Sequence, residues 1–103
     1  MTALSIIVSP NGDAAHVRTT LRCEPPGGTL PHAARACARL AALTASPFLP
    51  VTPGLACTDV YGGPETARVV GTFRGRSVWV TFRRINGCEI ARWNKVGFLL
   101  RTS

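Results

Sequence analysis

The sequence predicts an α+β fold: a five-stranded antiparallel sheet, with one main helix and one short helix packed on it and two disulfides closing it. Three observations predict this. Short stretches alternate apolar and polar residues at a period of two, with turn residues between them. One stretch in the middle changes to helical spacing. Four cysteines, an even number, sit in a chain of 103 residues, a size at which cross-links commonly supplement a small core. The length suits one domain over residues 1–103.

Residues 3–8 are apolar and rich in β-branched types, and read as the first strand. Ser9-Pro10-Asn11-Gly12-Asp13 is a turn cluster. Val17, Thr19, Leu21 and Cys23 then alternate with Arg18, Thr20 and Arg22, a strand with one wet face. Glu24 to Gly28 ends it. From Leu30 the period changes: Ala33, Ala36, Cys37, Leu40 and Leu43 share one side of a helix, with His32, Arg35 and Arg39 on the other. Thr29 is placed to cap its start, Pro31 fits the first turn, and Pro47 ends it. Residues 45–64 hold four prolines and form a long loop, a kind that is uncommon in small domains and usually functional. Two strands follow, at 67–73 and 78–82, joined at Arg74-Gly75-Arg76 by a tight hairpin. Cys88 to Trp93 make a short helical turn. Val96, Phe98 and Leu100 alternate with Gly97, Leu99 and Arg101 as a fifth strand.

Twelve basic residues face five acids, a formal net charge of +7. The bases are nearly all arginine and scattered, with no run longer than Arg83-Arg84. Nucleic-acid segments are denser, so no nucleic acid partner is expected. The longest uncharged stretch, Leu40 to Thr58, is broken by Pro47, Pro50 and Pro53, so no membrane helix is expected. Met1-Thr2-Ala3 leads straight into the first strand without the basic start of a signal peptide. The even cysteine count favours two disulfides and an oxidising compartment. Three pairings are open, and a bridge from Cys23 on its strand to Cys37 on the helix is natural. Four buried thiols are the bland alternative. No CxxC occurs, and His16 and His32 lie outside any metal spacing with a cysteine, so no metal and no cofactor is expected.

Catalytic constellations are nearly missing. The five acids are Asp13, Glu24, Asp59, Glu65 and Glu89, and no nucleophile motif surrounds any serine. The glycine pairs lack the lysine and helix of a phosphate loop. The chain does not read as an enzyme. Residues 57–64, CTDVYGGP, draw attention instead. A cysteine ties one end, an acid and an aromatic follow, and Gly-Gly-Pro breaks the chain. The plain alternative is a solvated turn.

The stretches VRTTLRCEPPGGTLPHAARACARLAAL, ACTDVYGGP and FRGRSVWVTFRRINGCEIARWN together resemble the Streptomyces subtilisin inhibitor family of secreted bacterial protease inhibitors. The resemblance runs from about Ala3 to Phe98, and the cysteine spacing is its most specific element. It implies bridges Cys23–Cys37 and Cys57–Cys88, a secreted protein, and a homodimer associating through the sheets. Trp79, on the opposite face to Val78 and Val80, would serve such an interface; otherwise it lies under a helix.

The resemblance also implies a mechanism. The family presents an extended loop to a serine protease as a substrate, cut two residues after the loop cysteine. Carried over, the reactive loop is Cys57, Thr58, Asp59, Val60 and Tyr61, and the bond is Asp59–Val60. Asn86, two before Cys88, matches a residue that braces the loop. Three positions depart from the family. Thr58 stands where proline is common, Gly62-Gly63-Pro64 is one residue longer, and Asp59 replaces Met, Lys or another long side chain. A carboxylate in an apolar pocket loses its water without a partner, so the simplest reading is a weak subtilisin inhibitor: either the true target has a basic or polar pocket, as in an acid-specific protease, or the main contact lies elsewhere. Inhibition of a zinc metalloprotease through the same loop is the alternative, with Tyr61 or a neighbour filling the pocket and Asp59 near the metal. A non-inhibitory binding module using the arginine-rich surface is another.

Overall fold

The computed structural model describes residues 1–12, 16–43, 48, 54 and 56–100. Four strands form one antiparallel sheet: β1 (Thr2–Ser9), β2 (Val17–Cys23), β3 (Thr66–Phe73) and β4 (Arg76–Phe82), in the order β2-β1-β3-β4. The two helices are α1 (Ala33–Ala42) and α2 (Gly87–Lys95). The alternation at Val17–Cys23 forms the strand it predicts, with Leu21 fully buried and Arg18 and Arg22 on the wet side.

Register explains why one face is dry. Leu4 pairs with Leu21 and Ile6 with Val69, and Val69 in turn with Val80. Leu4, Leu21, Ile6 and Val69 join Val8, Ala67, Phe73 and Phe82 in the core, with the half-buried Val80 packed against it. Ala36 and Leu40 of α1 close the core from above, and Phe48 enters it edge-on to the Phe73 ring, centroids 5.0 Å apart. Burial of such side chains contributes roughly 1.5–3 kcal/mol each, the main term holding the sheet to its helices. The hairpin between β3 and β4 turns on two residues, Arg74 and Gly75, both at positive φ, as a two-residue turn matched to strand twist requires. The turn also serves α1: the Arg74 guanidinium donates to the carbonyls of Leu40 and Leu43, each at 2.9 Å, satisfying groups left open at a helix C-terminus.

Three expectations are corrected. There is no fifth strand among the described residues: 96–100 form turns, in which the Leu99 N–H donates to the Val96 carbonyl at 2.8 Å and the Leu100 N–H to that of Gly97 at 3.1 Å. Val96, Leu99 and Leu100 are all buried, which is helical spacing. An alternation counted on Val96, Phe98 and Leu100 leaves the apolar Leu99 on the wrong side. Arg101 lies outside the described residues, as does Pro47. Thr29 does not cap α1. Its hydroxyl accepts from the Thr20 N–H at 2.8 Å, and its own N–H donates to Thr20 Oγ1 at 3.1 Å. With the Arg22–Gly27 bridge and the Leu30 N–H bonded to the Thr20 carbonyl, this covers the free edge of β2. Trp79 does not lie under a helix: it is 75% exposed, across from Val70 on the open sheet face, with the Arg68 guanidinium 5.7 Å from its ring centre.

Candidate reactive loop

Cys57 is bonded to Cys88 and Cys23 to Cys37. The second bridge joins β2 to α1. The first joins the loop to the first turn of α2, and so brings residues 57–62 against residues 84–88.

The segment 84–88 is shaped by the start of α2. Asn86 is the residue before the helix and its Oδ1 accepts from the Glu89 N–H at 2.9 Å, satisfying one open donor of the first turn. Glu89 pairs with Arg92 at 3.1 Å, one helical turn on, and the Arg92 guanidinium stands 5.0 Å from the centre of the buried Phe82 ring. The helix start is thereby fixed against the core. Gly87 follows the cap, and its N–H donates to the Thr58 carbonyl at 2.9 Å. Any Cβ on Gly87 would land on the Thr58 hydroxyl, so the Thr58 side chain fills the space that a side chain at 87 would need.

The far side of the loop is held by Arg84. The Gly62 N–H donates to the Arg84 carbonyl at 2.7 Å, and the Arg84 Nε–H returns to the Gly62 carbonyl at 3.2 Å. The same Nε lies 3.4 Å from Glu65 Oε2, and the guanidinium sits 5.6 Å from the centre of the Trp93 ring. A Cβ on Gly62 would meet the Ile90 side chain at 2.9 Å. Gly63, at φ +128°, adopts a conformation that only glycine takes without strain. This is the structural use of the Gly-Gly pair.

Between the two anchors Asp59, Val60 and Tyr61 stand out. All three are exposed, Val60 at 53% and Tyr61 at 66%. Asp59 has no ion pair or side-chain hydrogen bond among the described residues. The arrangement is a stretch of main chain outside any helix or strand, fixed at Thr58 and at Gly62, with three bare side chains between.

The structure therefore holds the segment Cys57, Thr58, Asp59, Val60 and Tyr61 beside Cys88, with Asn86 directing its side chain to α2. The contacts to the loop main chain come from Gly87 and Arg84, which the sequence reading does not single out. The start of α2 has a local signal, Asn86 followed by Glu89 three residues later. Arg84 has none, because its partner is 22 residues away in sequence. Replacing Asn86 by alanine is expected to lower stability by about 1 kcal/mol, measured by denaturant unfolding. A change below a few tenths would show that the cap is dispensable. Among the described residues no group of three or more His, Cys, Asp or Glu gathers as a metal site, and no helix is long and apolar enough to cross a membrane.

Comparison with known proteins agrees with this architecture. The structure superposes on a chain from the crystal structure of Streptomyces caespitosus sermetstatin in complex with Bacillus licheniformis subtilisin, with a TM-score of 0.57 and 26% identity, covering 91% of this chain and 94% of that one. No curated protein matches. A family model described as subtilisin inhibitor-like matches residues 1–86. With most of its length matched, the protein belongs to the subtilisin inhibitor-like family, a family of protease inhibitors and not of enzymes.

Proposed function

We propose that the chain, as a single domain over residues 1–103, is a secreted inhibitor of a serine protease. It presents Cys57 to Tyr61 as a substrate and Asp59–Val60 as the reactive bond. The observation that carries the reading is the double anchoring of the loop: the Thr58 carbonyl held by Gly87 and the Gly62 N–H held by Arg84, with only side chains 59–61 bare between them. The sermetstatin–subtilisin complex supports a serine protease as the class of partner.

Preorganisation is the physical basis. Fixing one residue of a free peptide costs roughly 1–2 kcal/mol. Here much of that cost is met when the protein folds, so less is lost on binding. Asp59 sets the target. A carboxylate buried without a partner costs several kcal/mol, so the pocket that accepts it is one with a cation or several donors, as in an acid-specific serine protease. The two disulfides fit an oxidising compartment. The exposed Trp79 on the open sheet face suits a second copy of the chain. A monomer mass by light scattering at micromolar concentration would rule that out.

The test is titration of an acid-specific serine protease, subtilisin, a trypsin-like protease and a zinc endopeptidase with the protein. Tight inhibition of the acid-specific enzyme is expected. Inhibition of the zinc enzyme alone would transfer the loop to the metalloprotease reading. Inhibition of none, with salt-sensitive binding to polyanions, would transfer function to the arginine-rich surface.

A further inference from the structure

The two sides of the proposed reactive bond are held by different means. Two residues before it, Cys57 is covalently joined to Cys88. Beyond it, β3 does not begin until Thr66. In that interval the chain carries a glycine pair, the most permissive residues available. The hold on this side is the cluster around Arg84: its carbonyl and Nε both bonded to Gly62, its charge paired to Glu65, its guanidinium over Trp93. The Arg84 side chain is 22% exposed, so it is a packed part of the loop's support and not a surface charge.

We propose that Arg84 is a positioning residue for the segment that leaves when the bond is cut, and that it makes cleavage reversible. The proposal rests on the substrate-like reading above. In that reaction the protease serine oxygen attacks the Asp59 carbonyl carbon. The Asp59–Val60 C–N bond breaks, and the Val60 nitrogen takes a proton and becomes a free amine. Two outcomes compete. Water attacks the ester, releasing Asp59 as an acid and regenerating the serine. Or the Val60 amine attacks the same carbon, the C–N bond forms again, and the serine oxygen recovers its proton. The second outcome wins only while the amine stays beside the ester. Gly62 is two residues from that amine, and Arg84 grips Gly62 at both its N–H and its carbonyl. The Cys57–Cys88 bridge keeps the two fragments joined, but it fixes the chain on the ester side and not the stretch next to the amine.

The backbone bond from Gly62 to the Arg84 carbonyl survives any substitution at 84. What a variant removes is the bond from Nε, the Glu65 pair and the Trp93 contact. Initial binding should change little, and the turnover of the inhibitor should rise.

The experiment compares wild type, Arg84→Ala, Arg84→Lys and Glu65→Gln against the acid-specific serine protease, with the same changes in an Asp59→Met background against subtilisin. Initial rates give Ki. Reducing gels give the appearance of fragments 1–59 and 60–103, which stay joined through Cys57–Cys88 until reduced. Arg84→Ala should be cut about tenfold faster than wild type, as expected for loss of a charge-assisted hydrogen bond, with Ki within about threefold. Arg84→Lys should recover part of the resistance, and Glu65→Gln should be cut about threefold faster, as for a partly exposed pair. If Arg84→Ala does not fold, Glu65→Gln decides. Cleavage of the folded variants at the wild-type rate, with wild type still inhibiting, would overturn the role of Arg84 alone. If neither wild type nor the Asp59→Met form inhibits its protease, the substrate-like reading fails, and the role of Arg84 with it.

Discussion

Replacing Asp59 by methionine is expected to exchange one target for another. Against subtilisin, whose pocket is apolar, the variant should bind about a hundredfold to a thousandfold tighter than wild type, because an unpaired buried carboxylate costs several kcal/mol and each tenfold is 1.4 kcal/mol. Against an acid-specific protease it should lose a similar factor, since the cationic pocket is then left without its partner. The fold should not register the change. Asp59 is exposed and makes no side-chain bond among the described residues, and surface substitutions of that kind stay within about 0.5 kcal/mol. The measurement is Ki for both proteases with both proteins, beside denaturant unfolding. Equal Ki ratios for the two forms would mean that Asp59 never enters a pocket, and the reactive bond would have to be placed elsewhere.

The second large effect is expected from the Cys57→Ser, Cys88→Ser double variant. The bridge spans 31 residues of sequence, and the chain-entropy model gives about 3–4 kcal/mol for a loop of that size. Beyond stability, the loop would recover freedom near Thr58 and lose it again on binding, at roughly 1–2 kcal/mol per residue. Inhibition should fall about a hundredfold or more at temperatures where the variant stays folded. The matching change at Cys23 and Cys37 is the control. That bridge spans 14 residues and joins β2 to α1, so it should cost about 3 kcal/mol of stability and leave Ki nearly unchanged in the folded protein. If both double variants weaken inhibition equally, the Cys57–Cys88 bridge acts through global stability and not through the loop.

Much of the fold was legible because its signals are local. Val17–Cys23 alternates cleanly, Arg74-Gly75 has the glycine that a two-residue turn needs, and Ala36, Cys37 and Leu40 repeat at helical spacing. Residues 96–100 were not legible because five residues with four apolar side chains satisfy both periods. Tertiary packing chose the helical one. The loop was visible as a cysteine-tied stretch with glycines, and its pairing to Cys88 came from the family's cysteine spacing. Its support was not visible. The bonds from Gly87 to Thr58 and between Arg84 and Gly62 link segments far apart in sequence. No pattern within a window of either segment announces them. Thr29 shows the converse error: a good capping residue at the right distance from a helix was recruited by a neighbouring strand instead.

One property of the loop's anchors bears on how such a protein changes over time. The hydrogen bonds by which Arg84 and Gly87 hold the loop end on main-chain atoms: the Thr58 carbonyl, the Gly62 N–H and the Gly62 carbonyl. Main-chain atoms are the same whatever the side chain. Residues 59, 60 and 61 can therefore be rewritten while the scaffold beneath them stays as it is. On the substrate-like reading proposed above, mutational drift at these three positions is nearly silent for folding and loud for the choice of target. A lineage facing a new protease needs to search only this short address, and every candidate it tries arrives already folded.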